Sequence, residues 1–552
     1  MKPVVEITLH KAGMVKLKPS EFLGYQFITF QETCFSNGAV RKVEGSNVTY
    51  LVTLEKFPAL REHLSREFEL IIHKTVEEKV SAAVEVRDSN LGRLSSLFKA
   101  LEEAGLPLPT FQQEDIYRIA DAQAILDRKD PGLGKTVTDV LAVPVNAKVI
   151  VITLASMKYT YHDEIIRWRR PLEVVSPRVI EKAVDGMTFK EGPDWQVYNY
   201  EKLPGKRWCE NIFPKVCPEG LVVIVDEAQK ASNEKTQIYA KVKAICHAAL
   251  DKGGKIILAS GTPMQNHPGE LWNVLELARL GTKLFGGRKQ FVVAFGGTEG
   301  EYGVTWGDPT PEVVDVLKAG CIVRHKRECL ASLPPTRTQY IPVRVGRSVK
   351  SCDAVWKHLN SHFSREGRAN ESLRKLYRGK LAIPFQEYAK VRADLARAKI
   401  GAMEDLVRYH FESGNPLIVA SNHLAPLRAL QEMDIGAGKW GDSFPVIQGK
   451  TSAKERKRIV DDFQSGLFPV LGLSIKAGGT GITLTRASTM LFVDLHWNPA
   501  INQQCMGRVD RMGQLNPVLY QVLVGSHDLD LYVTEVLLGK EIRLEKTWKS
   551  AA

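Results

Sequence analysis

Pro131-Gly132-Leu133-Gly134-Lys135-Thr136 is the stretch on which the fold assignment rests. A glycine turn that leads into a helix points unpaired backbone N–H groups at an anion. The lysine adds a positive charge for β- and γ-phosphates, and the threonine hydroxyl can bind Mg²⁺. The usual phosphate-loop pattern has glycine at position 129, where this chain has Lys129. The stretch therefore predicts a phosphate-binding loop, with an ordinary turn before a helix as the alternative.

From about residue 105 onward, short apolar runs alternate with helical lengths of sequence. The runs lack polar alternation, and such strands are typical of parallel sheets covered on both faces. The sequence therefore predicts an α/β fold with two parallel-sheet lobes on either side of a basic segment. The runs are residues 149–152, 221–225 and 256–258 in the first group, and 417–420, 470–473, 490–493 and 519–524 in the second.

The apolar run 221–225 ends in Asp226-Glu227-Ala228-Gln229. Ligands of open α/β sheets sit at the carboxyl ends of the strands, so these carboxylates are expected at the ligand edge. We expect Asp226 to hold Mg²⁺ and Glu227 to orient and deprotonate an attacking water. The alternative is an acidic pair that caps the next helix, but it does not explain why a phosphate loop precedes that pair.

Length and composition exclude several classes of protein. The chain has 552 residues, more than the ~250–300 that one hydrophobic core serves, so we expect two to four domains. No apolar run approaches the ~18 residues that span a bilayer, and Glu6 interrupts the N-terminus before a signal-like core forms. The eight cysteines include no C-x-x-C pair, which favours reduced thiols. We therefore expect a cytoplasmic protein that does not bind a membrane.

Basic residues are concentrated in one segment. Residues 321–400 hold 18 Lys and Arg against 6 Asp and Glu, while the rest of the chain is balanced at 57 against 57. A basic block in an otherwise neutral protein suggests a surface that faces a polyanion, because neutralised phosphates release condensed counterions. A solvated helical face is the alternative. Within this segment, about one helical turn holds Arg374, Lys375 and Arg378. These three residues are candidate nucleic-acid contacts.

With these motifs in place, the sequence resembles the SNF2 family of DNA-dependent ATPases in helicase superfamily 2. The resemblance covers residues 108–514, and its motif blocks follow in the family's order. Two highly specific strings are Ser260-Gly261-Thr262-Pro263-Met264-Gln265-Asn266 (motif III) and Gln504-Cys505-Met506-Gly507-Arg508-Val509-Asp510-Arg511-Met512-Gly513-Gln514 (motif VI). The other blocks are the Q motif at 108–112, motif I at 132–136, a partly matching block at 154–168, motif II (a DEAQ box) at 226–229, and second-lobe blocks at 449–466, 474–485 and 494–499.

The resemblance implies a compact bacterial or phage-type member with two RecA-like lobes. Lobe 1 would span residues 96–320 and lobe 2 residues 406–552, with a basic helical protrusion and linker at 321–405 between them. Residues 1–95 contain alternating apolar and polar stretches and would form a small α+β accessory domain. They carry no catalytic motif and are the candidate site for protein partners.

The residues to which the sequence and the resemblance assign roles fall into three groups. Catalysis would use Lys135, Asp226, Glu227, Gln229, Arg508 and Arg511. ATP would be bound by Gln112, Gly132, Leu133, Gly134, Lys135, Thr136 and Gly481, and Mg²⁺ by Thr136 and Asp226. Nucleic acid would contact Thr262, Lys476, Gly479, Thr480 and Trp497, together with Arg374, Lys375 and Arg378 of the basic segment.

Motif VI adds a pair of arginines. Arg508 and Arg511 are three residues apart, which on a helix places both on one face as a paired cationic edge. If that edge meets Lys135 and Asp226 across a cleft, it supplies the charge that stabilises the phosphoryl-transfer transition state, an effect of ~10³–10⁵ in rate. A solvated arginine pair is the alternative. Asp510 between them replaces the histidine of many eukaryotic members.

These features predict an enzyme that hydrolyses ATP with Mg²⁺ and uses the closure of two lobes to move along double-stranded DNA without reading its bases. A second hypothesis is an RNA or single-strand unwinding helicase of the same superfamily, which the motif III and motif VI strings disfavour. A third is a DNA-binding scaffold without ATPase activity. Lys129 suggests this scaffold, whereas the intact Lys135, Asp226 and Arg508 disfavour it.

Overall fold

The structure is a computed structural model of the chain. It describes residues 3–9, 15–19, 30, 33–34, 40–44, 47–52, 57–182, 185–265, 267–300, 303–330, 332–345, 385–433, 443–478, 482–527, 530–531 and 534. These residues form two compact units. The first runs to Lys129 and from Gly134 to Arg324, and the second comprises Asp130–Leu133 and the residues from His325 onward. Within the described ranges, no helix has the length and apolar character needed to cross a membrane.

The first unit opens with a small α+β arrangement. Its elements are β1 (Val4–Leu9), β2 (Val15–Pro19), β3 (Val40–Glu44), β4 (Asn47–Val52), α1 (Phe57–Glu67), β5 (Glu69–Ile72) and α2 (Lys74–Glu103). The strands form one sheet in the order β3-β4-β2-β1-β5. All pairings are antiparallel except the parallel pairing of β1 with β5. Buried side chains such as Val5, Leu17 and Phe57 form its core.

Helix α2 crosses the domain boundary that the sequence predicts at residue 95. Val76 in its first half packs in the core of the small sheet, whereas Leu94, Leu97 and Leu101 in its second half pack in the next core of the unit. One continuous helix therefore serves two hydrophobic cores. No break in composition marks the change from one core to the other, because both halves bury apolar side chains.

A seven-stranded parallel sheet makes up the rest of the first unit. Its strand order is β14-β6-β11-β10-β7-β9-β8 and every pairing is parallel. The strands are β6 (Ala124–Lys129), β7 (Lys148–Thr153), β8 (Arg178–Val179), β9 (Asp194–Asn199), β10 (Val222–Asp226), β11 (Lys255–Ala259) and β14 (Cys321–Arg324), and the separate hairpin is β12 (Thr298–Gly300) with β13 (Gly303–Thr305). The helices are α3 (Thr110–Asp121), α4 (Lys135–Ala142), α5 (Lys158–Arg169), α6 (Lys206–Asn211), α7 (Phe213–Val216), α8 (Gln237–Asp251), α9 (Pro268–Glu276), α10 (Leu280–Phe285), α11 (Arg288–Ala294) and α12 (Glu312–Gly320).

The central strands are apolar except at their ends, because helices cover both faces of this sheet. All five residues of β10 are buried, and five of the six residues of β7 are buried. Parallel strands bring their carboxyl ends to the same edge of the sheet. The residues that follow β6, β10, β7 and β11 therefore share one edge, which is where ligands bind in open α/β sheets.

The second unit holds a second parallel sheet. Its strand order is β15-β20-β19-β16-β18-β17 and every pairing is parallel. Two parallel sheets with surrounding helices confirm the predicted α/β fold of two RecA-like lobes. The elements are α13 (Lys326–Cys329), β15 (Thr336–Val343), α14 (Phe385–Ala398), α15 (Ile400–Glu412), β16 (Leu417–Ser421), α16 (Leu424–Glu432), β17 (Val446–Ile447), α17 (Ala453–Gln464), β18 (Val470–Ser474), α18 (Ile475–Gly478), β19 (Thr489–Phe492), α19 (Pro499–Met506) and β20 (Val518–Gly525).

The described residues of segment 321–405 include two strands as well as helices, whereas the sequence predicted a mostly helical segment. Its first residues form β14, which pairs with β6 in the first sheet, and a later stretch forms β15, which pairs with β20 in the second. Acidic residues outside the segment also neutralise part of its positive charge. Arg324 pairs with Asp115 at 3.0 Å and with Glu114 at 2.8 Å. Regular pairing and ion pairs, which the charge count does not reveal, account for the difference.

Candidate functional site

The phosphate loop connects β6 to α4. Strand β6 ends at Lys129, and α4 begins at Lys135 after a turn in which Gly132 and Gly134 have φ of 93° and 78°. Glycine is the residue that adopts this left-handed backbone without a steric penalty. The Lys135 ammonium donates a 2.8 Å hydrogen bond to the carbonyl oxygen of Lys129. The loop thus has the glycine turn, the helix start and the lysine that phosphate binding requires.

Lys129 does not occupy the phosphate side of this loop. Its side chain is fully buried, and its ammonium lies 3.0 Å from the carboxylate of Asp127 and 3.3 Å from that of Asp115. It also donates a 2.6 Å hydrogen bond to the Thr138 hydroxyl. Burial alone would lower the pKa of Lys129, but the two carboxylates outweigh burial and raise it. The departure from glycine at this position therefore supplies a buried ion pair and leaves the turn itself in place.

Gln112 of the Q motif lies next to the same turn. It is buried near the start of α3, and a Cβ atom placed on Gly134 would collide with its side-chain amide. Only glycine lets the loop approach this amide so closely. The structure therefore brings together Gln112 and Gly134, two of the residues assigned to ATP binding, within the first unit.

The two acidic residues of motif II are at the carboxyl end of β10. Asp226 is buried, and its carboxylate accepts a 2.6 Å hydrogen bond from the Thr153 hydroxyl at the end of β7. Burial, followed by the neighbouring Glu227 charge, raises the pKa of Asp226 to about 7, although Thr153 and Lys135 act in the opposite direction. A buried carboxyl group with a raised pKa gains from a nearby cation, because the cation favours its ionised form.

The oxygen donors at this edge fit a magnesium ion. Thr136 is the second residue of α4 and Asp226 ends β10, so one hydroxyl and one carboxylate are available. Mg²⁺ is usually held by one or two such groups together with water and phosphate oxygens. Across the described part of the chain, no group of three or more His, Cys, Asp or Glu side chains could hold a metal ion. An ion at this edge would therefore depend on the nucleotide for further ligands.

A chain of hydrogen bonds links motif II to motif III. The Gln229 side-chain amide donates to the Glu227 carboxylate, and its oxygen accepts a 2.6 Å hydrogen bond from the Ser260 hydroxyl. That hydroxyl in turn accepts a 3.1 Å hydrogen bond from the backbone N–H of Thr262. Glu227 itself has a φ of 52°, which is unusual for a residue other than glycine. Two residues assigned to catalysis are thus connected to Thr262, which is assigned to nucleic acid.

The arginines of motif VI are not on a helix, contrary to the sequence-based expectation. Helix α19 ends at Met506, and the chain continues in successive turns through Gly507 to Gly513. The Arg508 carbonyl accepts a 2.9 Å hydrogen bond from the backbone N–H of Leu484. This contact to the preceding motif holds the chain in a turn, so the spacing of three residues does not place the arginines on one helical face.

Arg511 is held by residues of motif V. Its guanidinium donates hydrogen bonds of 3.0 Å to the Ile482 carbonyl and 2.9 Å to the Thr483 hydroxyl. Burial, followed by the neighbouring Arg508 charge, lowers the pKa of Arg511 to about 10. Arg511 is therefore a cation at neutral pH. Arg508 is buried and Arg511 is half-buried in the second unit.

Asp510 forms ion pairs with the residues that follow β14. Its carboxylate lies 3.1 Å from the Lys326 ammonium and 3.2 Å from the Arg327 guanidinium. The Lys326 ammonium also donates to the Asp510 backbone carbonyl. The aspartate that stands in place of histidine in motif VI thus joins the motif to the short helix α13.

The second unit places a cationic and an aromatic side chain together near the carboxyl end of β19. Trp497 lies under the guanidinium of Arg392, with 5.7 Å between the guanidinium carbon and the ring centroid. Lys476 is exposed on the short helix α18. Burial, followed by the Lys476 and Arg392 charges, lowers the pKa of His496 to about 4. Arg392 therefore lies over Trp497, and the Lys476 and Arg392 charges both act on His496. The assignment of Lys476 and Trp497 to nucleic acid stays a prediction.

Several assigned residues lie outside the described residues. They are Gly479, Thr480 and Gly481 of motif V, and Arg374, Lys375 and Arg378 of the basic segment.

Sequence reasoning missed four residues of these sites. Three of them lie at or just beyond the carboxyl end of a strand: Thr153, Tyr200 and Ser260. The fourth, Arg392, contacts Trp497, which follows a strand. A polar residue that ends an apolar run, as Thr153 does, is the signal that was available. Arg392 had no such signal, because its partner Trp497 is about one hundred residues away in sequence.

Comparisons with known proteins agree with the two lobes. The SNF2-related domain matches residues 121–351, and the Helicase conserved C-terminal domain matches residues 398–513. Together the two matches cover more than half of the chain. The first match contains motifs I to III, and the second contains motif V and motif VI up to Gly513.

Relatives with related names are found in animals and bacteria. The DNA annealing helicase and endonuclease ZRANB3 of Mus musculus is 26% identical over 427 residues, which cover 74% of this chain and 38% of that protein. The SWI/SNF-related matrix-associated actin-dependent regulator of chromatin subfamily A-like protein 1 of Xenopus tropicalis is 24% identical over 457 residues, covering 79% of this chain and 44% of that protein. The putative ATP-dependent helicase/translocase YwqA of Bacillus subtilis is 24% identical over 335 residues, which cover 58% of this chain and 34% of that protein.

The chain spans about two fifths of the length of the two animal relatives. The two domain matches cover most of both lobes and contain motif I through Gly513 of motif VI. The order of these motifs, the two parallel sheets and the two domain matches all lead to one assignment. The chain belongs to the SNF2 family of helicase superfamily 2, as the motif resemblance predicted.

Proposed function

We propose that this protein hydrolyses ATP with Mg²⁺ and uses the energy to move along double-stranded DNA. The observation that carries the proposal is the arrangement at one edge of the first parallel sheet. There the phosphate loop with Lys135 follows β6, and the carboxylates of Asp226 and Glu227 follow β10. A phosphate-binding lysine beside two acidic residues is the set of groups that phosphoryl transfer to water requires.

Each residue at this edge has a role in the proposal. Lys135 binds the β- and γ-phosphates after it leaves the Lys129 carbonyl, to which it is hydrogen-bonded at 2.8 Å. Asp226 and Thr136 hold the Mg²⁺ ion, which neutralises charge on the phosphates when it is bound. Glu227 accepts a proton from the attacking water and is oriented by the Gln229 amide. Gln112 reads the adenine, next to the glycine turn that binds the phosphates.

Motif VI completes the catalytic proposal. Arg508 and Arg511 are assigned to the charge that develops on the γ-phosphate, and Gly481 to the nucleotide. Arginine suits this role because it stays charged and offers several donors in a fixed plane. The contacts of Arg511 with Ile482 and Thr483 support the assignment, since they hold the guanidinium in one place before any nucleotide binds.

The DNA part of the proposal rests on the second unit and on charge. Lys476 and Trp497, with Arg392 beside them, supply a cation and an aromatic face, and the basic excess of residues 321–400 supplies further contacts to phosphates. We assign Thr262, Gly479 and Thr480 to the same backbone contacts. The name of one relative, a DNA annealing helicase and endonuclease, supports DNA as the track.

The first experiment measures ATP turnover with duplex DNA, single-stranded DNA and RNA. We expect duplex DNA to stimulate turnover several-fold, and we expect the stimulation to fall as salt rises, because phosphate contacts release counterions. Stimulation by RNA but not by duplex DNA would replace the proposal with an RNA helicase. DNA binding without any turnover would indicate the scaffold.

Two variants test the catalytic assignment in the same assay. Lys135→Ala and Glu227→Gln should each abolish turnover while the protein stays folded, because both residues act on the phosphates at the edge of the sheet. Lys148→Ala is the matched control, since Lys148 begins β7. It therefore lies at the amino ends of the strands, opposite the carboxyl ends where the proposed site is. Turnover near that of the control in either folded variant contradicts the assignment.

The basic segment has a separate test. Charge reversal at Arg374, Lys375 and Arg378 should weaken DNA binding and flatten its salt dependence, while turnover without DNA is unchanged. The same charge change at the exposed residues Lys74, Lys79 and Lys99 of α2 is the control. Equal DNA affinity and equal salt slopes in the two triple variants would reassign the cluster to a solvated face.

A further inference from the structure

Tyr200 is a buried tyrosine with a hydroxyl group at motif II. It is the first residue after β9 and begins a short 3₁₀ turn that ends at Lys202. Its side chain is fully buried. Its hydroxyl donates one shared hydrogen bond to two carbonyl oxygens, that of Asp226 at 2.7 Å and that of Glu227 at 3.2 Å. A single side chain therefore holds the backbone of both acidic residues.

These hydrogen bonds join strands that are not neighbours. In the first parallel sheet β9 pairs with β7, and β7 pairs with β10. Thr153 at the end of the middle strand binds the Asp226 carboxylate, at 2.6 Å. Tyr200 comes from one strand further away and binds the backbone instead. Motif II is thus held by two hydroxyl groups with separate tasks, one on the side chain of Asp226 and one on the peptide groups.

The two carbonyls that Tyr200 binds belong to the peptide groups on either side of the Glu227 α-carbon. The rotation of these two peptide groups about that carbon defines the φ and ψ angles of Glu227. Its φ of 52° lies in the left-handed region, which residues other than glycine occupy only when the surrounding structure holds them there. The Tyr200 hydroxyl is a contact of this kind, and the backbone angles in turn set the direction of the Glu227 side chain.

The hydroxyl remains a donor throughout the working range of pH. Burial, followed by the charges of Asp226 and Glu227, raises the pKa of Tyr200 well above its ordinary value. A neutral phenol donates a hydrogen bond to carbonyl oxygens, whereas a negatively charged phenolate would repel them. The contact therefore does not depend on pH near neutrality.

We propose that Tyr200 is a positioning residue for hydrolysis: it holds the backbone of Glu227 in the left-handed conformation that directs the Glu227 carboxylate at the attacking water. The inference rests on the proposed function, because it assigns Tyr200 a part in the same hydrolysis. It does not place Tyr200 in contact with the nucleotide. The expected signature is a loss in kcat without a loss in affinity for ATP.

The test replaces one oxygen atom. Tyr200→Phe removes the hydroxyl and keeps the ring, and we expect kcat to fall about tenfold while the affinity for a fluorescent ATP analogue stays the same. Tyr198→Phe is the matched control. Tyr198 is also buried, belongs to β9 and donates a 2.9 Å hydrogen bond, but its acceptor is Gln196 rather than motif II. Its kcat should match that of the wild type.

Two further measurements separate positioning from general stability. Incorporation of 4-aminophenylalanine at position 200 restores a donor at the same place and should recover most of the lost kcat. In the Glu227→Gln background, Tyr200→Phe should lower the residual single-turnover rate little further, because the group that it positions is already absent. A purely structural loss would reduce the rate by the same factor in both backgrounds.

The possible outcomes separate this inference from the proposed function. A wild-type protein that hydrolyses no ATP overturns the proposed function. An active wild type with an equally active Tyr200→Phe variant overturns only the role of Tyr200, as does an equal loss in the Tyr198→Phe control. If Tyr200→Phe does not fold, the 4-aminophenylalanine protein still decides the question, since wild-type kcat supports a donor at this place and a reduced kcat in a folded protein contradicts it.

Discussion

Replacement of Lys129 by methionine should destabilise the first unit strongly, although Lys129 is not assigned to the nucleotide. The Lys129 ammonium is fully buried and contacts Asp127, Asp115 and Thr138 at 3.0, 3.3 and 2.6 Å. Methionine has a similar length and fills the same space. The change therefore removes a buried charge with little loss of packing, so the effect isolates the electrostatic part.

The three partners of Lys129 differ in how many contacts they keep when Lys129 is replaced. Thr138 keeps a 2.9 Å hydrogen bond to the Lys135 carbonyl, and Asp115 keeps its 3.0 Å contact with Arg324. Asp127 loses the cation that its carboxylate contacts. Removal of one partner from a buried ion pair costs about 3–5 kcal/mol. At roughly 2 °C per kcal/mol for a unit of this size, the midpoint of its thermal unfolding should fall by about 6–10 °C.

The loss should grow with pH. Burial raises the pKa of Asp115 above its ordinary value, so this group stabilises the fold at low pH and loses that contribution as pH rises. The Lys129 charge acts against this rise in the pKa of Asp115, so without Lys129 the Asp115 carboxyl group gains a proton more readily, and a protonated carboxyl group needs no cation. The variant should therefore differ less from the wild type at pH 5 than at pH 8.

Differential scanning calorimetry at both pH values measures the effect. Lys99→Met is the control, because Lys99 is exposed and pairs only loosely with Glu103, at 4.0 Å, so its change should stay within about 0.5 kcal/mol. A second change, Asp127→Asn, should recover most of the loss in the Lys129→Met variant. An unfolding midpoint equal to that of the control at pH 8 would refute the reasoning.

Three further outcomes are expected. The apparent affinity for Mg²⁺, measured from the Mg²⁺ dependence of turnover, should rise about fivefold from pH 6 to pH 7 and less than twofold from pH 7 to pH 8. The reason is that Asp226 has a pKa of about 7 and binds a cation after losing its proton. Asp226→Asn should abolish Mg²⁺-dependent turnover at every pH. Asp510→Asn and Lys326→Met should be coupled by about 1–3 kcal/mol in the unfolding of the second unit, because their side chains form a largely buried pair; additive losses would contradict this. Arg508→Ala should remove most hydrolysis and leave DNA affinity nearly unchanged in filter binding, whereas a parallel loss of both would move Arg508 to the DNA contacts.

The sequence predicted the parts of the site that lie next to their own strands. The phosphate loop follows β6 and the acidic pair follows β10, and both belong to patterns that are local in sequence. Parallel strands then bring such ends to one edge without any further information. The two parallel lobes follow from the same apolar runs. For these features, local pattern and tertiary structure lead to the same answer.

The sequence did not predict contacts between distant segments. The direction of Lys129 depends on Asp115, fourteen residues earlier and on another element. The motif VI turn depends on the hydrogen bond from Leu484 to Arg508, so the spacing of the arginines alone suggested a helix. Strands β14 and β15 were hidden by the charges around them, because basic residues at the end or exposed face of a strand do not disturb its pairing. Each of these errors comes from a tertiary contact that overrides a local pattern.

Two buried aspartates of the first sheet show how the surroundings of a carboxylate decide its use. Asp127 on β6 and Asp226 at the end of β10 are both buried. Asp127 contacts the Lys129 ammonium at 3.0 Å, so its charge is already balanced and a second cation there would gain little. Asp226 instead takes its hydrogen bond from the neutral hydroxyl of Thr153, which orients the carboxylate without cancelling its charge. Burial, followed by the neighbouring Glu227 charge, raises its pKa to about 7, and a divalent cation nearby would favour its ionised form. Under the proposed function, the lysine at position 129 and the hydroxyl at position 153 therefore have opposite effects, and together they would favour Mg²⁺ binding at Asp226 rather than at Asp127.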